Sequence, residues 1–348
     1  MVFNLLNRLK EFPELKIFAL SLNNGILADK LSREDIDITI ISEQQNSFLS
    51  ILLKAAAIFK NQRIDIIHSH RYKENLIALL LKKRLKAKTL ITTLHGLVEK
   101  SEHDRKPSIL NRAKIFLNDY ILKKFFTTVS VSDEIHQFLT QQKNYDTKKV
   151  KVIHNGIEPP FSINRNPKQN VFHIGIVGRF VPVKNYDLFL EIAAFLKKAG
   201  NDLRFSILGE GPLKEYLVQK RDDFGLTDCI TFLEPVSDPF PFYSSLDLYI
   251  NTSHHEGIPL TILEAMSCGV PVIAPRVGGI PEIIGHYEDG FLVDNYEPEV
   301  FADTCLMLLN NTDLRINIGR KARQKIKSSF SAEHMAASYR LLYGSRLL

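Results

Sequence analysis

Two carboxylates, two cations and a histidine carry the chemistry this sequence could perform. Glu256 and Glu264 bracket Pro259 in "HHEGIPLTILEAMSCG", residues 254–269; Arg179 and Lys184 lie five apart in "VGRFVPVKN", 177–185; His95 stands in "TLHG", 93–96. Pro259 suits the start of a helix and Gly269 its left-handed exit. Leu260, Ile262, Leu263, Ala265 and Met266 make that helix apolar, and Thr261, Glu264 and Cys268 share the remaining stripe. A carboxylate buried on such a helix needs hydrogen-bond donors. Two vicinal hydroxyls of a ribose would suit Glu264; a neighbouring Lys or Arg is the competing partner.

Glu256 precedes the helix in a loop where Gly257 lets the backbone approach a ligand closely. Unpaired amides at a helix start receive phosphate oxygens, and a carboxylate beside them can accept from sugar hydroxyls. "VGGIPEII", with Gly278, Gly279 and Pro281, offers a second such start. Arg179 and Lys184 follow the strand-like "IGIV" and Gly178, which places them at the mouth of a cleft. Two cations there neutralise the charge that builds on a departing diphosphate; the plain alternative is a pair of solvated loop cations.

The elements that must position these groups alternate. Short β-rich runs "LKIFALSL", "IDITII", "IDIIHS", "TLITTLH", "FFTTVSVS" and "VKVIHN" are interleaved with helical patterns such as 47–61 and 73–86. After a Pro- and Asn-rich stretch at 155–170, read as an interdomain linker, the pattern restarts. It gives "VFHIGIVGR", helix 186–199, "LRFSILG", helix 212–224, "CITFLEPV", "LDLYIN" and "GFLVDN". A final amphipathic helix covers 331–343, after Ser331. Two doubly wound parallel sheets are expected, with ligands at the carboxyl ends of strands. The first eleven residues read as the end of a helix, with Phe3, Leu6 and Leu9 at helical spacing. The strand and glycine turn that open a Rossmann-type domain are therefore expected to be missing, leaving an open sheet edge that weakens the first domain.

With 348 residues, 45% hydrophobic and 24% charged, the chain fits two globular domains. No apolar run spans a bilayer and the start lacks a signal-peptide pattern. Three cysteines, odd in number, fit a reducing compartment, so a cytoplasmic location is expected. Residues 1–170 carry 28 Lys and Arg against 17 Asp and Glu, whereas 171–348 carry 17 against 22. The basic half, including "LKKRLKAK" at 81–88, is either a solvated face or one drawn to an anionic membrane. Nucleic acid is not expected as a partner, since no aromatic-interleaved basic motif accompanies the charge.

"HNGIEP", "VGRFVPVKN", "ILGEGPLK", "EGIPLTILEAMSCGVPVIAPRVGGIPEII" and "EDGFLVDNYEPEVFADTCLMLL" resemble the retaining glycosyltransferases of family 4, the group 1 enzymes of GT-B fold. "IDIIHSHRYKENLIALLL", "ITTLHG" and "VSVSDEI" extend the resemblance into the first half. It implies an acceptor-binding Rossmann-like domain over 1–165, a donor-binding Rossmann-like domain over 166–330, and a helix at 331–348 packing back toward the first. It also implies a nucleotide-diphosphate-sugar donor, a glycan or lipid-linked acceptor, no required cofactor or metal, and a place in cell-surface polysaccharide or glycolipid synthesis. By position, Arg179 and Lys184 would grip the diphosphate, Glu256 would contact sugar hydroxyls and Glu264 the ribose. Gly257, Ile258, Leu260 and Thr261 would complete the pocket beside Gly178. Gly209 and Gly211 would lie near the nucleotide, Leu233 and Glu234 near the base, and His95 near the reacting centre.

The resemblance implies retention, with the acceptor attacking from the leaving-group side. The residues show donors for a leaving phosphate and no acid–base carboxylate pair. Two rivals stand beside this reading. "IIHSH" with His95, His154 and "SHH" could be drawn into a metal hydrolase site, but no carboxylate or lysine follows in barrel order. A catalytically impaired sugar-nucleotide-binding subunit that needs a partner fits the shortened start. Asp35 and Asp37 in "DID" read as a solvated loop, and "GEGP" lacks the third glycine of a dinucleotide fingerprint.

Overall fold

The computed structural model describes residues 1–96, 117–160, 171–200 and 202–346, so part of the stretch read as a linker, 161–170, lies outside the described residues. The chain divides into two compact units, Met1–Gly156 with Ala332–Leu348, and Ile157–Ser331.

The first unit opens with α1 (Val2–Leu9), the helix that the spacing of Phe3, Leu6 and Leu9 predicts. Leu5 and Leu9 pack with Met335, Tyr339 and Leu342 of the C-terminal helix Ala332–Gly344. They also meet Ile91 and Val129 of a parallel four-stranded sheet. That sheet runs β3 (Ile66–Ser69), β4 (Thr89–Leu94), β5 (Thr127–Ser130), β6 (Val150–Val152). Only Leu94 of β4 escapes burial, and β5 is buried throughout, as central parallel strands require.

A second, two-stranded parallel sheet pairs β1 (Phe18–Ser21) with β2 (Asp37–Ile40). β1 and β3 each pair on one side only among the described residues. Both lie over the same cores. Ile17 and Ile66 pack beneath α1, whereas Leu20 and Ile67 pack on α3 (Phe48–Phe59) and α4 (Tyr72–Leu85). Ser47 caps α3, accepting from Ser50 N at 3.3 Å, and Lys86 ends α4 in the left-handed region at φ 54°.

The second unit holds a six-stranded parallel sheet in the order β12, β11, β10, β7, β8, β9. Its strands are β7 (Phe172–Val177), β8 (Leu203–Leu208), β9 (Ile230–Leu233), β10 (Leu248–Ile250), β11 (Val272–Pro275) and β12 (Phe291–Val293). Its core is built from β7 and β8 against α5 (Tyr186–Lys198), with Ile174, Ile176, Phe205 and Ile207 meeting Phe189, Ile192 and Leu196. The chain winds outward from β7 to β9, then returns to lay β10 on the other side of β7. The reversal opens a crevice between the carboxyl ends of β7 and β10, where doubly wound sheets bind ligands.

α6 (Leu260–Ser267) follows β10. Pro259 sits just ahead of it, extended at φ −71° and ψ 118°, at the capping position and not inside the first turn. Gly269 leaves the helix at φ +68°, as its sequence position predicts. Gly269 and Gly319 touch: a Cβ on Gly319 would lie 2.0 Å from the Gly269 carbonyl oxygen. Two helices, Pro298–Asn310 and Thr312–Ser329, carry no expectation from periodicity above. The second carries three Arg and three Lys, so its apolar stripe is thin.

Candidate active site

Four of the five residues singled out by type, Arg179, Lys184, Glu256 and Glu264, lie on the segments that follow β7 and β10 in the second unit; His95 lies in the first unit. β7 delivers Gly178 and Arg179, and a tight turn at Pro182–Lys184 carries Lys184 into α5. From the other side, the segment after β10 delivers Ser253, Glu256 and the start of α6. The two loops are laced together. His254 N donates to the Val183 carbonyl at 2.8 Å, and Thr252 Oγ1 donates to the Lys184 carbonyl at 2.8 Å.

Lys184 Nζ lies 2.5 Å from Glu256 Oε1, and the same oxygen accepts from Ser253 Oγ at 2.7 Å. Both charged side chains are mostly withdrawn from water, at 22% and 11% exposure. Such a pair holds a cation at a fixed point, its field partly cancelled by the carboxylate. Arg179 is exposed, and its guanidinium has no hydrogen-bond partner among the described residues.

The loop around Glu256 is shaped by a glycine. Gly278 has φ +57°, and a Cβ there would come within 1.8 Å of the Glu256 carbonyl oxygen. That closeness lets Gly279 N donate to the Glu256 and Gly257 carbonyls at 3.2 and 3.1 Å. The amides of Gly257, Leu260 and Thr261 have no hydrogen-bond partner among the described residues. Three orphan donors and a helix start beside two cations form an anion cradle. Ile258 stands in the same loop, its side chain buried.

Glu264 sits on α6 one turn further, half-buried, and its Oε2 accepts from the Tyr243 hydroxyl at 2.8 Å. Burial, then the charge of Glu264, holds the Tyr243 phenol well above its usual range, so it remains a donor. Tyr243 and Ser253 were invisible to the sequence reading. Tyr243 lies in "PFPFYSS", a stretch without period, and serine offers no spacing signal.

Gly209 and Gly211 follow β8, and their requirement is packing. A Cβ on Gly209 would meet the Gly178 carbonyl oxygen at 2.0 Å, and one on Gly211 the Phe180 amide at 2.7 Å. They let this turn lie directly against the Gly178–Phe180 loop, where Phe180 N donates to the Glu210 carbonyl at 2.8 Å. Leu233 and Glu234 follow at the end of β9; Leu233 is exposed, and Glu234 pairs with Lys214.

In the first unit, His95 stands at the carboxyl end of β4 and His70 just beyond β3. His95 Nε2 and His70 Nδ1 are 3.2 Å apart. His68 is held by Tyr343 Oη at 2.7 Å and Thr93 Oγ1 at 2.8 Å. Burial keeps all three imidazoles neutral: His68 is lowered to about 3, His95 to about 4, and His70 well below its ordinary value. Asp35 and Asp37 lie at the start of β2 in the first unit, where both are exposed.

Two doubly wound parallel units, the second with an anion cradle at its switch point, define a GT-B glycosyltransferase architecture. Residues 2–160 match the family described as Glycosyltransferase Family 4, and residues 159–325 match Glycosyl transferases group 1. The chain belongs to this family of glycosyltransferases. It is 27% identical over 309 residues to the N-acetyl-alpha-D-glucosaminyl L-malate synthase of Bacillus anthracis, covering 85% of this chain and 78% of that protein. It is 26% identical over 327 residues to a D-inositol 3-phosphate glycosyltransferase of Salinispora arenicola, covering 86% and 72%. The crystal structure of Anabaena HepE in complex with UDP-glucose superposes with a TM-score of 0.84 at 19% identity, covering 99% of this chain and 94% of that one.

Proposed function

We propose that this chain is a retaining, hexosyl-type glycosyltransferase that takes its sugar from a nucleotide-diphosphate-sugar and passes it to a glycan or lipid-linked acceptor. The observation that carries this reading is the crevice between β7 and β10. There Lys184 is paired with Glu256, whose loop carries the unpartnered amides of Gly257, Leu260 and Thr261, and the exposed Arg179 stands on the same loop as Lys184. A diphosphate fits that donor set, and its departure from an anomeric carbon is the step such donors accelerate. Glu264, with Tyr243 behind it, is placed to accept from a ribose. Glu256 is placed to accept from the transferred sugar once a phosphate has taken over part of the Lys184 charge. HepE, solved with UDP-glucose, favours the same donor class.

No metal is needed for this chemistry, because Lys184, Arg179 and the helix start supply the positive field. Turnover in the presence of EDTA is the corresponding check. The acceptor belongs to cell-surface polysaccharide or glycolipid synthesis at the cytoplasmic face of a membrane, and the basic first half favours contact with anionic lipid. No helix among the described residues is long and apolar enough to cross a bilayer.

The test is a crystal soaked with UDP or GDP, together with sugar transfer assayed by NMR of the anomeric product. Diphosphate bound at residues 178–184 and 256–261, with retained configuration, is expected. A ligand bound elsewhere would end the donor assignment. Binding at this crevice without turnover would leave the partner-dependent binding subunit as the function.

A further inference from the structure

Among the described residues of the first unit, α3 is a helix that is apolar on both faces. Its sequence, "FLSILLKAAAIF", contains a single charge, Lys54. Ile51, Leu52, Ala55 and Phe59 turn inward to the core shared with Ile77 and Leu81 of α4. The opposite face carries Phe48, Leu49, Leu53 and Ile58, which are 41%, 60%, 52% and 48% exposed. A surface helix normally sets polar residues there, and one that is apolar all round is covered by something. The patch continues onto Ile40 at the end of β2. Ile40, Ala57 and Ile58 border a surface depression of ≈ 460 Å³ that also takes in Lys54 and Asn46.

The charge around this face identifies what covers it. Residues 44–88, which include α3, β3 and α4, hold ten Lys and Arg against two Asp and Glu. Lys54 is exposed on α3 and Lys60 at its C-cap, and Lys83, Arg84 and the C-cap Lys86 are exposed at the end of the packed neighbour α4. None of these five has a carboxylate partner among the described residues. Exposed apolar side chains on a helix whose own cations and whose packed neighbour's cations have no carboxylate partner among the described residues complement the interface of an anionic bilayer, where hydrocarbon lies beneath phosphate. A protein-binding face would carry fewer bare lysines, which are depleted at such interfaces.

We propose that the outer face of α3 is the surface by which this enzyme docks on an anionic lipid membrane. Phe48, Leu49 and Leu53 enter the headgroup boundary, and Lys54 and Lys60 lie at phosphate level. The inference rests on the membrane contact proposed above and gives it a location.

The full-length protein would be sedimented with phosphatidylcholine vesicles containing one quarter phosphatidylglycerol, and with pure phosphatidylcholine vesicles. Binding to the anionic vesicles alone, weakened by 0.5 M salt, is expected. Leu49→Asp/Leu53→Asp alters only exposed positions, so its melting temperature should match the parent, and its partitioning should fall at least about tenfold. Lys54→Ser/Lys60→Ser should lose binding by about tenfold, reflecting two lost charges. Hydrolysis of soluble nucleotide sugar, measured without vesicles, should be unchanged in both variants. Loss of that activity in the parent would instead sink the catalytic assignment. The docking proposal is overturned if the parent ignores anionic vesicles or if the aspartate variant binds as well as the parent. It is also overturned if the parent is a dimer that the aspartates dissolve without any change in vesicle binding.

Discussion

Replacing Lys184 by alanine separates a structural ion pair from a catalytic cation, because the two roles predict losses of different size. The structure sets the first. Lys184 and Glu256 retain 22% and 11% of their exposure, between a surface pair worth at most ~1 kcal/mol and a buried pair whose rupture costs ~3–5 kcal/mol. Glu256 keeps the Ser253 hydroxyl at 2.7 Å, so it is not stranded without a donor. A loss of ~1–2 kcal/mol follows, which for a unit of this size lowers the melting temperature by ~2–8 °C. The second loss is larger. Removing one positioned donor from a developing anion costs ~3–4 kcal/mol, or about a hundredfold to a thousandfold in kcat. Lys184→Met, which keeps the methylenes and discards the charge, should match alanine in turnover and preserve more of the stability. Calorimetry and a coupled assay for released nucleoside diphosphate give both numbers. A Lys184→Ala protein that melts a few degrees low yet turns over within about threefold of the parent would refute the leaving-group role, leaving only the structural pair.

Glu264→Gln should weaken donor binding about tenfold with kcat little changed, since the lost hydrogen bonds to a charged acceptor exist in ground and transition states alike; calorimetric titration with the nucleotide sugar reads it. Tyr243→Phe removes the donor that orients Glu264 and should cost ~1 kcal/mol of stability plus a smaller loss of donor affinity, by the same titration. The first unit should lose stability in acid. His68 and His95 titrate near 3 and 4 when folded and near 6.5 when unfolded, so the unfolded chain takes up protons first as pH falls. Stability is complete above about pH 6.5 and declines toward pH 4, by ~2 kcal/mol per histidine between pH 7 and 5; melting curves at the two pH values check the sign. Hydrogen exchange should be faster in Phe18–Ser21 and Ile66–Ser69 than in Thr89–Leu94, because β1 and β3 each pair on one side only among the described residues.

Much of the fold was legible because parallel sheets write themselves as short, continuous apolar runs. "FHIGIV" and "TLITTL" are each nearly pure strand, and the structure sets them inside their sheets. The site was legible where backbone constraint and charge coincide. Gly178 before Arg179, and Pro259 and Gly269 around Glu264, mark a turn and a helix that carry a charged side chain. What stayed hidden depends on contacts between segments far apart in sequence. Tyr243 reaches Glu264 across 21 residues, His70 meets His95 across 25, and Gly278 matters because the Glu256 carbonyl fills the space where a Cβ would stand. The outer face of α3 escaped for another reason. The sequence marks 47–61 only as a helical pattern, and the fold shows that half of its apolar residues face out.

Glu256 and Glu264 are the same side chain eight residues apart, and their surroundings give them different work. Glu256 is tied to a cation, so its capacity to accept from a sugar depends on how far Lys184 is drawn toward phosphate. Glu264 accepts from a neutral phenol that burial keeps protonated, so Tyr243 does not cancel its charge as Lys184 does that of Glu256. Binding should therefore proceed in an order. The nucleoside diphosphate moiety docks on Glu264 and the amides, Lys184 shifts toward the phosphate, and Glu256 is then released to read the sugar. Coupling of that kind ties recognition of the sugar to the presence of its leaving group. It also means that a free monosaccharide should bind measurably only when UDP or GDP is already in place, a cooperativity that Glu256→Gln should reduce.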